Sequence, residues 1–102
     1  MICISTTSNC ESTLKKIASK ILKEKLSPCT HISKISQSGY IWKNEIIYNP
    51  EFKLEIKTIA SYKNKIIAII KTNHNYKVFE LLLSELNSLN EEYDEWFYKQ
   101  LK

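Results

Sequence analysis

From Phe52 to Thr58 the chain alternates without a break: Phe52, Leu54, Ile56 and Thr58 against Lys53, Glu55 and Lys57. Successive side chains of a strand point to opposite faces, so this run demands a strand with one buried face and one polar face. Strands of that kind belong to antiparallel sheets covered on one side. The segment from Cys29 to Trp42 is also extended in character, rich in Ile, Ser and Thr, and its broken alternation predicts a bulge. Lys43-Asn44 between the two reads as a tight turn, because Asn tolerates left-handed backbone angles. The result is a long hairpin whose apolar face the rest of the chain must cover.

Helical spacing supplies the cover. Leu14, Ile17, Ala18, Ile21 and Leu22 recur on one helical face, behind Ser8-Asn9-Cys10-Glu11, which has the form of a capping box. This helix is expected to stop before Ser27-Pro28, since the residue preceding proline avoids helical angles. A second helix has Ser61 as its expected cap and Tyr62, Ile66, Ile69 and Ile70 as its buried stripe. Residues 2–7 read as a short strand, while the apolar run from Val78 to Leu86 fits strand or helix equally. Ser88-Leu89-Asn90-Glu91 is another capping box, ahead of a last helix with Tyr93, Trp96, Phe97 and Leu101 as its stripe.

The order is β-α-β-β-α, an undecided segment, then α. With a strand in the undecided place, the fold class is α+β. The plan is ferredoxin-like, the split β-α-β arrangement, with an extra C-terminal helix. Two helices then cover one face of a four-stranded antiparallel sheet. The other face and the protruding hairpin are left for a partner, which is a physical reason to expect an oligomer.

At 102 residues the chain is expected to be one domain, 1–102. A hydrophobic fraction of 43% and a charged fraction of 25% are those of a globular protein. No apolar run nears the ~18 residues of a membrane-spanning helix, so no membrane partner is expected. Met1-Ile2-Cys3-Ile4 leads straight into Ser5-Thr6-Thr7 with no basic region, so a cytoplasmic protein with reduced thiols is the expectation. The three cysteines, Cys3, Cys10 and Cys29, form no C-x-x-C pair, hence neither a disulfide framework nor a zinc knuckle. The net charge of +4 rests on lysine alone, with no arginine fork to clamp phosphates or read base edges. The aromatic motif of RNA-binding sheets is absent too, so no nucleic-acid partner is expected.

Individual residues narrow the chemistry. Cys29-Thr30-His31 sets a thiol and an imidazole on one face of a strand, where they either chelate a soft metal or serve as a packed Cys beside a surface His. Cys3 reads as core, and Cys10 sits near a helix N-terminus that favours thiolate. Tyr40 and Trp42 share one face of the hairpin and read as interface anchors, whereas Trp96 and Phe97 read as core. No nucleophile elbow, phosphate-cradling loop or H-E-x-x-H is present, and Gly39 is the single glycine. No catalytic residue is assigned, and no enzyme is expected.

Taken together, several motifs resemble the CutA divalent-cation tolerance proteins. They are Ile4-Ser5-Thr6-Thr7, Lys25-Leu26-Ser27-Pro28-Cys29, Ser38-Gly39-Tyr40-Ile41-Trp42-Lys43, and Glu51 with Leu54-Glu55-Ile56-Lys57-Thr58. His74-Asn75-Tyr76 with Glu80, and Tyr93 with Trp96, complete the set in the family's order along nearly the whole chain. The resemblance implies a strand at the undecided segment and an intertwined homotrimer, similar in architecture to PII-type signalling proteins, with clefts between subunits. Tyr40, Trp42, Glu51, Lys57, Tyr76 and Trp96 are the residues it implies at a cleft or interface. It further implies a weak site for copper(II) or another divalent cation at His74 and Glu80. Relatives implicated in copper binding carry Cys at the position of Ser5 and His at that of Asn73, and Ser and Asn are poor copper ligands. The alternative expectation is a PII-like trimer with a small ligand and no metal role.

Overall fold

In the computed structural model, which describes residues 1–102, β1 (Ile2–Ser8) leads into α1 (Glu11–Lys23), β2 (Cys29–Trp42) and β3 (Glu45–Thr58). A 3-10 turn at Ala60–Tyr62 then precedes α2 (Lys63–Asn73), β4 (Leu81–Glu85) and α3 (Glu91–Gln100). The sheet has the order β2-β3-β1-β4 and every neighbouring pair is antiparallel. This is the expected α+β plan with its extra C-terminal helix. The undecided segment is a strand because β1 offers it a free edge, pairing Ile4 with Leu83 and Thr6 with Leu81. No helix is long and apolar enough to cross a membrane.

Register decides what is buried. Ile4 lies opposite Ile56 and Thr6 opposite Leu54, so these side chains share the face that receives the helices. Leu14, Ile17 and Ile21 of α1 and Ile66 and Ile70 of α2 close over them, all fully buried. Cys3 and Ser5, opposite Lys57 and Glu55, lie on the other face.

The helix ends differ from the capping motifs in the sequence. Cys10, not Ser8, is the N-cap of α1 and makes no side-chain cap. The Ser8 hydroxyl instead accepts the Cys10 N–H at 3.0 Å, one residue too early for a capping box. Ser61 falls within the 3-10 turn, and α2 starts behind Tyr62 with no side-chain cap. At α3 the cap is Asn90, not Ser88: its Oδ1 accepts the N–H groups of Glu92 and Tyr93. α1 also ends at Lys23, well before Pro28. The stop is a Schellman motif, in which Lys25 at φ 57° donates to the Leu22 carbonyl and buried Leu26 donates to that of Ile21. Phe97 is fully buried as expected, but Trp96 remains 44% exposed, because only one side of α3 meets the rest of the chain.

The hairpin turns at Lys43 and Asn44, with φ 50° and 65°, the paired positive angles of a two-residue turn that matches strand twist. A register shift between Ile35 and Ser38 is the expected bulge. β1 pairs with β3 only from Phe52 onward, so Ser38–Trp42 and Glu45–Asn49 pair with each other alone. This outer half makes the molecule long, 47 × 28 × 20 Å, with a radius of gyration of 14.6 Å where a compact chain of this size has about 13 Å.

Candidate functional site

The loop between α2 and β4 is sewn to the end of β1. The His74 ring accepts the Tyr76 N–H at Nδ1, 3.0 Å away, so its proton sits on Nε2. Nε2 then donates toward the Thr7 carbonyl at 3.0 Å, with the Thr6 hydroxyl at 3.1 Å. The same Thr6 hydroxyl donates to the Glu80 carbonyl at 2.6 Å. Phe79 stacks on the imidazole with centroids 4.2 Å apart and planes 6° from parallel. Burial pushes the His74 pKa below its ordinary value, opposed by the Thr7 bond and the charge of Glu51. Asn75 completes the seam, accepting from Ser8 at 2.5 Å and donating to Asn9 at 2.8 Å.

What this loop presents is Tyr76. Its hydroxyl donates to Glu51 Oε2 at 2.7 Å, and burial together with that bond pushes the phenol up to about 12. Glu51 is 8% exposed, on the β3 side of a cavity of about 420 Å³ lined by Asn9, Tyr40, Asn49, Pro50, Glu51 and Tyr76. Asn49 donates to the Tyr40 hydroxyl at 2.8 Å, which fixes the outer wall. Of the residues expected at a cleft, the structure thus gathers Tyr40, Glu51 and Tyr76. Trp42 stands farther out on the hairpin, half exposed, and Trp96 lies on α3 against Tyr93.

Lys57 is not in this group. It lies on the other sheet face, with its ammonium 3.1 Å from Nδ1 of His31. On that face Cys29 Sγ is 4.0 Å from His31 Nε2, and burial, followed by the influence of the Cys29 thiol, raises the pKa of the Tyr93 phenol on α3. Cys3 is buried there, and desolvation raises its thiol pKa. Cys10 is more acidic, its pKa lowered to about 7 by hydrogen bonds from Ser12 and Thr13.

The residues around His74 do not fit a copper ion within one chain. Both ring nitrogens are engaged, and the Glu80 side chain is exposed while only its carbonyl enters the network. Asn73 donates to the Ile69 carbonyl of its own helix, and Ser5 points to the opposite sheet face from Thr6. No three Cys, His, Asp or Glu side chains converge anywhere in the chain.

Comparison with known proteins places this geometry. The family described as CutA1 divalent ion tolerance protein matches residues 2–100. The chain belongs to the CutA1 family. It is 28% identical over 92 residues to the divalent-cation tolerance protein CutA of Salmonella newport, covering 90% of this chain and 80% of that protein. A crystal structure of a CutA1 mutant from Pyrococcus horikoshii OT3 matches with a TM-score of 0.91 at 25% identity, covering 100% and 99% of the two chains. CutA1 from Oryza sativa matches with a TM-score of 0.89 at 29% identity, over 99% and 93%. The family and the Salmonella relative are named for divalent-cation tolerance and not for a catalysed reaction.

Sequence reasoning did not single out Asn9, Asn49 or Pro50. Asn9 was hidden inside a motif read as a helix cap. Asn49 had a signal in principle: the bulge moves the pairing so that it faces Ser38, a diagonal neighbour of Tyr40.

Proposed function

We propose that this CutA1 chain serves divalent-cation tolerance as a cytoplasmic homotrimer that binds a small ligand in a cleft at Glu51 and Tyr76, without catalysing a reaction. The observation that carries the reading is Glu51 itself. Its carboxylate, 8% exposed, is aimed by the Tyr76 hydroxyl at the wall of a cavity, where it can accept from a bound group. His74 acts as the clamp that aims Tyr76 and is not a metal ligand in this reading. The exposed outer hairpin supplies the surface for assembly, since Tyr40, Trp42, Ile41 and Ile46 gain burial only against another copy. The test is copper sensitivity of cells relying on this chain. Glu51→Gln should lose most of the protection while leaving protein level and melting temperature near the parent. Full protection by that variant overturns the reading.

A second reading is direct, weak copper binding on the other sheet face, favoured by the 4.0 Å approach of Cys29 Sγ to His31 Nε2. Calorimetry with Cu(II) separates the two. Saturable heat lost in Cys29→Ser and kept in His74→Ala supports the second reading. Heat lost in a folded His74→Ala restores the metal to His74.

A further inference from the structure

We propose that the Glu51 cavity takes an organic monocation, an alkylammonium group held between the Glu51 carboxylate and the rings of Tyr40 and Tyr76. The proposal rests on the reading of this cavity as the ligand cleft and names the class of ligand. The first ground is charge. This chain has fifteen lysines and a net charge of +4, yet none of the cavity's lining residues is basic and one is a carboxylate. An anion would meet Glu51 with no compensating cation, so the field inside the cavity runs against the sign of the whole molecule.

The second ground is desolvation. Glu51 is 8% exposed and has a single hydrogen-bond partner, the Tyr76 hydroxyl. That neutral donor engages Oε2 and leaves the carboxylate able to accept from a second group, a place an ammonium fills with both a hydrogen bond and opposite charge. The Tyr76 phenol, pushed up to about 12, keeps its proton at neutral pH and stays a donor to Glu51. The third ground is shape and chemistry. Tyr40 and Tyr76 bring two aromatic rings to the wall, and aromatic faces attract ammonium groups. Asn49 directs its N–H to Tyr40, which leaves its amide oxygen as a further acceptor. Calcium takes about six to eight oxygen ligands, and copper or zinc favours imidazole or thiolate, whereas the cavity offers one carboxylate and no His or Cys. About 420 Å³ suits a small amine or the end of a lysine side chain.

Two sources carry this chemistry, a free amine or a lysine of a second copy of the chain. Titrating the intact protein with n-butylammonium and with butyrate, followed by tyrosine ring shifts in NMR, decides the class. For a free amine, butylammonium shifts Tyr40 and Tyr76 saturably and butyrate does not. Glu51→Gln then weakens binding about tenfold or more, the scale of a hydrogen bond to a charged group. Tyr76→Phe keeps the ring, frees the carboxylate and tightens binding, a readout that stands even if Glu51→Gln fails to fold. For a lysine of a second copy, butylammonium gives no saturable shift, and one lysine ammonium shows slowed hydrogen exchange that Glu51→Gln abolishes. Saturable shifts with butyrate in place of butylammonium sink the monocation and leave the cleft standing. No shift with either probe, and no protected lysine, sinks the cleft as well.

Discussion

Leu54 and Ile56, at the inner end of the hairpin, are fully buried, whereas Ile41, Ile46 and Trp42 at its outer end are 74%, 72% and 51% exposed. Both ends are antiparallel paired strands rich in branched and aromatic side chains, on either side of the bulge, so strand chemistry does not separate them. What separates them is cover. β1 runs beside β3 only from Phe52 to Thr58, and α1 and α2 close over that stretch alone. Alternation in a sequence tells which side chains share a face, but not whether the chain is long enough to reach that face. Here it is not, and the proposed assembly would supply a second copy as cover for this exposed apolar ribbon.

The comparison can be broken by substitution at each end. Ile56→Ala opens a cavity in the core, and the cost should be about 2–5 kcal/mol of folding stability, read from the denaturant midpoint. Trp42→Ala should act on assembly and not on the fold of each chain, at about 2 kcal/mol or more if the indole is an anchor. Its signature is a transition that becomes concentration-dependent while far-ultraviolet circular dichroism stays that of the parent. Equal loss of fold at both positions would erase the distinction between the two ends.

A smaller effect sharpens the inner side. Burial holds the His74 pKa below its unfolded value near ~6.5, so the neutral ring's contribution to stability is complete above that pH. It is lost as pH falls through the lower folded value. Thermal melts between about pH 7.5 and 5 should therefore decline on acidification, and less steeply in His74→Gln. A parallel decline in both would remove His74 as the clamp of the loop.

The smallest change lies at Gly39. A Cβ there would stand 2.6 Å from Cε1 of Tyr48, whose ring covers the glycine. Tyr48 is 66% exposed and can swing away, so Gly39→Ala should shift folding stability by no more than about 0.5 kcal/mol. A larger loss, measured in the same denaturant series, would mean that the outer hairpin holds the Tyr48 ring in place.

Much of the fold was legible because it depends on periodicity. The Phe52–Thr58 alternation, the helical stripes of Leu14, Ile17, Ile21 and of Ile66, Ile70, and the turn at Lys43-Asn44 all lie where the pattern put them. Helix ends were less legible, because backbone angles decide them. Lys25 terminates α1 in a conformation more often given to glycine, and Cys10 stands where the serine two residues earlier looked the better cap. The site was legible residue by residue but not as a group. Glu51 and Tyr76 are joined through a loop whose course depends on His74 reaching Thr6 and Thr7 across the sheet end, a contact no local spacing encodes. Lys57 shows the converse, since strand alternation alone turns it away from His74 and toward His31.

The central claim is that the outer hairpin is covered by other copies of the chain. Light scattering on a sizing column measures it directly. Three chains of 12.0 kDa give about 36 kDa, and the account predicts that mass unchanged on dilution, falling toward that of one chain in Trp42→Ala. A mass of 12.0 kDa at every concentration for the parent would contradict it.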